Sequence, residues 1–524
     1  MIEITGQSSF AGQWVRPKGQ AFQSFNPYTQ THSNHFYSCD DDDIERATLV
    51  ATEAFQTYRN LGGKSIGLFI KTIADEIEAL GDQLLEVADS ETALGLVRLT
   101  GERGRTCGQL RSFAALVIKG EWVQASIDTA LPGRVPVPKP DLRRMMMGIG
   151  PVVVFGASNF PFAFSTLGGD TASALAAGNP VIVKGHPSHP ATSELFAHAI
   201  NNAAEKCGVP RGVFSLLQGI GNELGAGLVK HPLIRAVGFT GSQAGGRALM
   251  DIAAARPDPI PVFAEMGSIN PLFVGPCTLA AQAEAIAAGL SGSVCMGTGQ
   301  FCTSPGLVVS VGNEVFETAL ANKLSEAPRG YLLNPQIAAS LQQGLKRLND
   351  HPHVEWLNEA GFEKDSMTPP NAVFKISALH FLVDSELSEE VFGPVILHVV
   401  CNDESQMLEV ARNLAGNLTA SIHAGEDPGL AIELSHVLEQ KVGRVIFNGY
   451  PTGVEVCPSQ QHGGPYPASS VSSSTSVGVG AIVRFARFVA YQSCPDHLLP
   501  AALQNDNPLG IYRQVNGELT TNSI

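Results

Sequence analysis

Between residues 148 and 275 the chain repeats one arrangement: a short run rich in valine, isoleucine and phenylalanine, then a longer segment of helical character. The apolar runs are Val152 to Phe155, Val181 to Val183, Phe214 to Leu217, Ala236 to Phe239 and Val262 to Ala264. A run without polar alternation is apolar on both faces, so each predicts a strand covered on both sides. The alternation predicts βαβ units around a parallel sheet, hence an α/β fold with a doubly wound nucleotide-binding unit. In such sheets the ligand sits beyond the carboxyl ends of the strands, where the loops carry the chemistry.

The rest of the chain is organised around this unit. At 524 residues it exceeds what one hydrophobic core supports, so a second domain is expected. The acidic run Asp40 to Asp43 precedes Ile44, Ala47, Ala51, Ala54, Phe55 and Tyr58 at helical spacing. Carboxylates there complement the helix dipole, so the run marks a helix entry rather than a metal site. Phe69, Ile73, Ile77 and Leu80 mark another helix, and the region to about 120 is expected to be mainly helical. Pro132, Pro136, Pro138 and Pro140 exclude a central strand and predict an exposed arm or crossover. Leu279, Ala283, Ile286, Ala287, Leu290 and Val294 form one helical stripe that runs into a glycine-rich loop, and a second α/β unit follows to about 450. The serine-rich stretch 469–476 reads by composition as a flexible loop.

Charge and cysteine usage narrow the function. A net charge of −15 argues against nucleic acid or an anionic membrane surface as partner. The N-terminus lacks the basic and apolar stretches of a secretory signal, and no later run is expected to be long and apolar enough to span a bilayer, so the expected location is cytoplasmic. Nine cysteines lie scattered with no Cys-x-x-Cys pair, which predicts reduced thiols and no metal site.

Two residues stand out chemically. Cys302, in Met296-Gly-Thr-Gly-Gln-Phe-Cys302, offers a thiol able to attack a carbonyl, and Glu265, ending an apolar run, offers a carboxylate able to activate water. Cys295, without a comparable setting, reads as packing. Glycine-bearing turns follow two strands, at Gly219 to Gly225, including Gly221, and at Thr240-Gly241-Ser242 to Gly246. Glycine lets backbone approach a phosphate, although neither turn matches the Gly-x-Gly-x-x-Gly pattern and each alone is ordinarily only a turn.

With these residues in place the chain resembles the NAD(P)-dependent aldehyde dehydrogenases over nearly its whole length. The resemblance rests on Ala157-Ser-Asn159-Phe160-Pro161, Val181-Ile-Val-Lys184, Phe239-Thr-Gly-Ser242, Glu265-Met-Gly267, Gly299-Gln-Phe-Cys302 and Glu389-Glu390-Val-Phe392-Gly-Pro394, in that order. It implies Cys302 as nucleophile, Glu265 as general base and the Asn159 amide, with the Cys302 backbone N–H, as holder of the oxyanion. It implies cofactor contacts from Ser158, Lys184, Thr240, Gly241, Ser242, Glu390 and Phe392, with Gly221 and Gly225 in the other turn. It also implies a homodimer or homotetramer joined through a β-rich arm. The expected division is 1–124 with 148–266 for the dinucleotide, 267–479 for catalysis, and 125–147 with 480–524 for the oligomerisation arm and tail.

Cofactor and substrate follow from the same comparison. Where many NAD-preferring relatives carry a glutamate three residues after the lysine, this chain has Pro187, and His186 or Ser188 can donate to a 2'-phosphate. NADP+ is therefore expected ahead of NAD+. Gln461-His462-Gly-Gly-Pro-Tyr-Pro467 and Tyr491-Gln492 resemble the members that oxidise α-ketoglutaric semialdehyde, with the NADP-dependent fatty aldehyde dehydrogenases sharing much of the pattern. His462, where many members have an aromatic, makes the pocket more polar, and Phe160 is expected to line it. A dicarboxylic semialdehyde needs a cation for its distal carboxylate, and Arg111 is the candidate, with Arg105 expected to point elsewhere on the helix. The other readings are a CoA-acylating relative and a catalytically silent binding protein on the same scaffold.

Overall fold

All five apolar runs between residues 148 and 275 are strands: Val152–Phe155, Val181–Lys184, Phe214–Leu217, Ala236–Thr240 and Val262–Glu265. The computed structural model describes residues 1–358, 361 and 366–524. The strands pair in parallel, and the chain runs outward from 152–155 through 181–184 to 214–217. It then returns to the other side of 152–155 to lay down 236–240 and 262–265. The order therefore reverses between 152–155 and 236–240, which opens a crevice beyond their carboxyl ends. Val152, Val153, Val181, Ile182, Leu216 and Val237 have no exposed surface, the burial on both faces that their apolar runs predict.

The helix Asp41–Tyr58 begins as its acidic run predicts. The Asp40 side chain accepts from the Asp43 N–H at 3.1 Å and the Asp43 side chain accepts from the Asp40 N–H at 3.2 Å. Phe69, Ile73 and Ile77 bury one face of Gly63–Ala79. The opening region is less helical than expected, because four short strands precede Asp41. Ser8–Phe10 and Gln13–Val15 extend this first sheet beside Phe214–Leu217, and Ala21–Asn26 pairs with Thr31–Tyr37. The first two, of three residues each, carry too little alternation to stand out from a loop, and Thr31–Tyr37 is polar and exposed over most of its length.

The second sheet contains Leu272–Val274, Leu307–Val311, Ala372–Ser377, Val395–Cys401, Asn417–His423 and Val442–Phe447 in parallel, with Glu355–Trp356 antiparallel at one edge. A third sheet joins Ser126–Asp128 and Leu142–Gly148 to Ala486–Gln492, Arg513–Val515 and Glu518–Thr520. The proline-rich stretch lies outside these strands, with Val135 and Val137 exposed.

Pro276–Gly299, with a mean hydropathy of 1.2, does reach the length and apolarity needed to cross a membrane. Its stripe Leu279, Ala283, Ile286, Ala287, Leu290 and Val294 is instead packed on Leu272, Val274 and Val308 of the second sheet. A helix laid on a parallel sheet needs such a face, and small alanines widen it.

Candidate active site

The crevice at the strand reversal leads into a cavity of about 460 Å³, within the range that holds small-molecule ligands. Ala157, Ser158, Asn159 and Phe160 enter it from one strand, and Thr240, Gly241 and Ser242 from its neighbour. Glu265 ends the edge strand, and Cys302, Glu390 and Phe392 come from the second unit. Residues separated by up to 235 positions thus meet at one point because strand ends and loops converge there.

The Cys302 loop is held by its backbone. Gly297, Thr298 and Gly299 have φ of 56°, 60° and 65°, the left-handed region. A Cβ on Gly299 would lie 2.2 Å from the Gly393 carbonyl, so this glycine lets the loop close on the segment bearing Glu390 and Phe392. Asn270, itself at φ 45°, donates to the carbonyls of Cys302 at 2.8 Å and Ser304 at 2.9 Å. The Asn159 amide donates to the Gln300 carbonyl at 3.0 Å, placing that amide beside the thiol loop. Nothing in sequence spacing singled out Asn270, which lies 32 residues from Cys302 and reaches the backbone carbonyl of Cys302 with its side-chain amide.

Glu265, His462 and Cys302 form one contact group. Their donor atoms lie within 4.8 Å of one another, with His462 Nε2 3.0 Å from Glu265 Oε1 and 3.6 Å from Cys302 Sγ. Ser476 donates its hydroxyl to Glu265 Oε2. Burial works to raise the Glu265 pKa, but His462 and the Ser476 bond outweigh it and hold the carboxyl below the ordinary range. Burial and the neighbouring Glu265 carboxylate push the Cys302 thiol well above its ordinary value, with Arg105 opposing weakly.

The serine-rich stretch is not the loose loop its composition predicts. Ser470 Oγ donates to the Val262 carbonyl and accepts from the Ala264 N–H at 2.8 Å, while the Ser470 N–H reaches the Ala264 carbonyl at 2.9 Å. Glu265 pairs with Ser469. The stretch is a strap that satisfies the open edge of the strand ending in Glu265.

The residues expected to hold cofactor divide in two. Ser158, His186, Thr240, Gly241, Ser242, Glu390 and Phe392 line the cavity. Ser242 caps the helix Gln243–Ala254, accepting from the Gly245 N–H, so the helix N-terminus that favours a phosphate opens there. His186 Nδ1 accepts from the Ser188 N–H at 3.1 Å, which leaves the ring proton on Nε2 as a donor. These groups fit a dinucleotide. Lys184, Ser188, Gly221 and Gly225 lie outside the cavity lining. Lys184 Nζ donates to the Gly219 carbonyl at 2.8 Å, and burial lowers its pKa to about 8. The Ser188 hydroxyl accepts from Asn334. Gly225 stands inside a helix where a Cβ would meet the Phe155 ring at 2.9 Å, so its absence of side chain serves packing rather than a phosphate.

Arg111 is not at the site. It is exposed and bound to Asp75 at 2.8 Å and Glu78 at 2.7 Å on the neighbouring helix. The inward face of Leu96–Lys119 instead carries Arg98, Glu102 and Arg105. The Arg98 guanidinium lies 4.9 Å from the Phe160 ring centre, and that of Arg105 lies 5.8 Å from Phe160 and 5.2 Å from Phe164. Glu102 Oε1 accepts from the N–H groups of Phe162 and Ala163, while its Oε2 is buried without a hydrogen-bond partner among the described residues. Arg105 Nε and Nη2 are buried without a hydrogen-bond partner among the described residues. Phe160 and Phe164 line the cavity, so an unmet guanidinium stands behind its wall.

Residues 14–344 match the profile of the Aldehyde dehydrogenase family. The chain is 47% identical over 523 residues to Alpha-ketoglutaric semialdehyde dehydrogenase 2 of Azospirillum brasilense, covering 99% of this chain and 100% of that one. It is 45% identical over 536 residues to Alpha-ketoglutaric semialdehyde dehydrogenase of Acinetobacter baylyi, covering 100% of both. A solved point mutant of betaine aldehyde dehydrogenase from Staphylococcus aureus, in complex with NAD+, is similar with a TM-score of 0.79 at 19% identity, covering 94% of this chain and 97% of that one. That last likeness is one of fold.

Proposed function

We propose that this chain, which belongs to the aldehyde dehydrogenase family, oxidises α-ketoglutaric semialdehyde to 2-oxoglutarate with NADP+ in preference to NAD+. The observation that carries the chemistry is a single cavity at the strand reversal in which the Cys302 thiol and Glu265 carboxylate meet the Thr240 to Ser242 turn. The two relatives at 47% and 45% identity, named for that semialdehyde, carry the substrate.

As a thiolate, Cys302 adds to the aldehyde carbon, and the Asn159 amide and Cys302 backbone N–H hold the oxyanion that forms. Bound nicotinamide supplies the acceptor for the hydride of that carbon. The resulting thioester is opened by water that gives its proton to Glu265, and the carbon–sulfur bond breaks to release the carboxylate. Ser158, Thr240, Gly241, Ser242, Glu390 and Phe392 hold the cofactor. The His186 Nε2 donor and the neutral Pro187 support NADP+, because position 187 carries no carboxylate to repel a 2'-phosphate. The exposed apolar residues Leu131, Val135, Val137 and Leu519 support an arm that joins a homodimer or homotetramer. Nine free cysteines suit a reducing, cytoplasmic location.

A kinetic panel tests this. With α-ketoglutaric semialdehyde, succinic semialdehyde, glutaraldehyde and a long-chain aldehyde, kcat/KM is expected to be highest for the first, higher with NADP+ than NAD+, and independent of CoA. Preference for the long-chain aldehyde, equal efficiency with NAD+, or a CoA requirement would each overturn the corresponding part.

Arg105 takes the place of Arg111 as the cation for the distal carboxylate, on the strength of its two unmet nitrogens. A charge-assisted bond of this kind is worth about 1.5–3 kcal/mol, so Arg105→Met is expected to lower kcat/KM for the dicarboxylic substrate roughly 10–100-fold. Glutaraldehyde, which lacks the carboxylate, should lose far less. Arg111→Ala should change neither, and equal losses for both aldehydes in Arg105→Met would remove the assignment.

A further inference from the structure

We infer that Arg98 is a positioning residue for the oxyanion: by holding the Asn159 carbonyl beside the Cys302 loop, its guanidinium sets where the Asn159 amide points. The inference rests on the reading of Cys302 and Asn159 given above and extends it to a residue outside the cavity lining.

Residues 157–160 lie between the strand Val152–Phe155 and the helix Gly169–Ala176, where no helix or strand ladder fixes the peptide planes. Arg98, on the inward face of Leu96–Lys119, supplies a fixing point from outside. Its Nη2 donates to the Asn159 carbonyl at 2.6 Å, a charge-assisted bond. The side-chain amide of the same asparagine donates to the Gln300 carbonyl at 3.0 Å. An amide nitrogen carries two N–H bonds. With one held by Gln300, the direction of the other, which meets the oxyanion, depends on where the Asn159 backbone sits, and Arg98 holds that backbone.

The guanidinium is itself locked between the two loops. Its centre lies 4.9 Å from the Phe160 ring and 4.7 Å from the Phe301 ring, and the rings stand 5.1 Å apart at 88°. Phe160 follows Asn159 and Phe301 precedes Cys302, so the cation fills a wedge between the amide and the nucleophile segments. Gly297, at φ 56°, makes the room: a Cβ there would come within 2.7 Å of Arg98 Nη1. One turn along the helix, Glu102 Oε1 takes the N–H groups of Phe162 and Ala163, so a single helix face grips the segment on both sides of Phe160. Filling space does not require a cation here, because Nη1 is buried without a hydrogen-bond partner among the described residues, which costs free energy. What the planar fork adds is a donor whose direction is fixed by two rings, which a flexible ammonium would not supply.

The test separates a donor out of line from a weakened fold. Arg98→Met keeps the apolar stem without a donor, and Arg98→Gln has a side chain too short to span the same gap; if one does not fold, the other decides. The probe is propanal, which has no carboxylate for Arg105 to bind. At saturating propanal the first-turnover rate of NADPH formation is expected to fall roughly 10–100-fold, less than the roughly 10²–10³-fold that follows outright loss of an oxyanion donor, with KM within about threefold of wild type. Iodoacetamide alkylates Cys302 by displacing iodide, without forming an oxyanion. That rate, read by peptide mass spectrometry, should therefore stay at the wild-type value, as should NADP+ affinity. A double-mutant cycle identifies the partner: in an Asn159→Ala background the Arg98 substitution should cost less than about threefold, because the group it positions is gone. A merely structural arginine would multiply its loss onto that of Asn159→Ala, or slow alkylation and weaken NADP+ binding alike. Either result would overturn the inference, as would a wild-type first-turnover rate in a folded variant. Failure of the proposed function reads differently: turnover by Cys302→Ser would remove both, whereas an inactive Cys302→Ser with wild-type turnover in the Arg98 variants removes only this one.

Discussion

Replacing Cys302 by serine is expected to lower kcat for aldehyde oxidation by at least about 10³-fold while NADP+ still binds. A serine hydroxyl keeps the shape of the loop but gives up its proton far less readily. The thiol itself already resists ionisation through burial and the Glu265 charge. Cofactor binding should persist because Thr240, Gly241 and Ser242 belong to a different strand end, and the Gly299 close approach and the Asn270 side-chain amide act on the backbone of the Cys302 loop rather than on the Cys302 side chain. NADPH absorbance gives the rate and a fluorescence titration gives the binding. Cys295→Ser is the control: that thiol closes the helix Pro276–Cys295, burial pushes it up to about 11, and its replacement should leave kcat unchanged. Undiminished turnover by Cys302→Ser would remove the nucleophile.

Glu265→Gln should leave the first half of the reaction and stall the second. Glutamine matches the carboxylate in size and can still accept from Ser476, but it cannot take a proton from water. A burst of NADPH close to one equivalent per site is expected, followed by a steady rate lower by about 10²–10⁴-fold. The pH dependence has a definite sign. Because His462 and Ser476 hold the Glu265 carboxyl below the ordinary carboxylate range against the pull of burial, it stays ionised from neutral into mildly acid solution. Hydrolysis should therefore keep its base through that range and lose it only as the pH falls through this lowered pKa. A Glu265→Gln variant with a wild-type steady rate would assign water activation elsewhere.

The parts of the fold that depend on local pattern were legible in the chain itself. Strands such as Val152–Phe155 and Val181–Lys184 stand out because a strand buried on both faces has no choice but a continuous apolar run. Asp40 and Asp43 announce a helix start because the cap is built from residues three apart. Helix orientation is another matter. Arg105 and Arg111 lie six residues apart and so on different sides of Leu96–Lys119, as expected. Which side faces the cavity is decided by the packing of Gly63–Ala79 against that helix, and that packing also supplies Asp75 and Glu78 to Arg111. Composition misled at 469–476, where serine is used to bond an edge strand rather than to loosen the chain. His462 was placed at the substrate pocket by its motif, but its contact with both Cys302 and Glu265 joins segments 160 and 197 positions apart, which no spacing rule reaches.

The most direct test of a covalent route through Cys302 is mass spectrometry of the Glu265→Gln protein, quenched seconds after mixing with α-ketoglutaric semialdehyde and NADP+. One acyl group on the peptide that carries Cys302, formed in step with the NADPH burst, is the expected result. NADPH formed while that peptide stays unmodified, or an acyl group found on another cysteine, would contradict it.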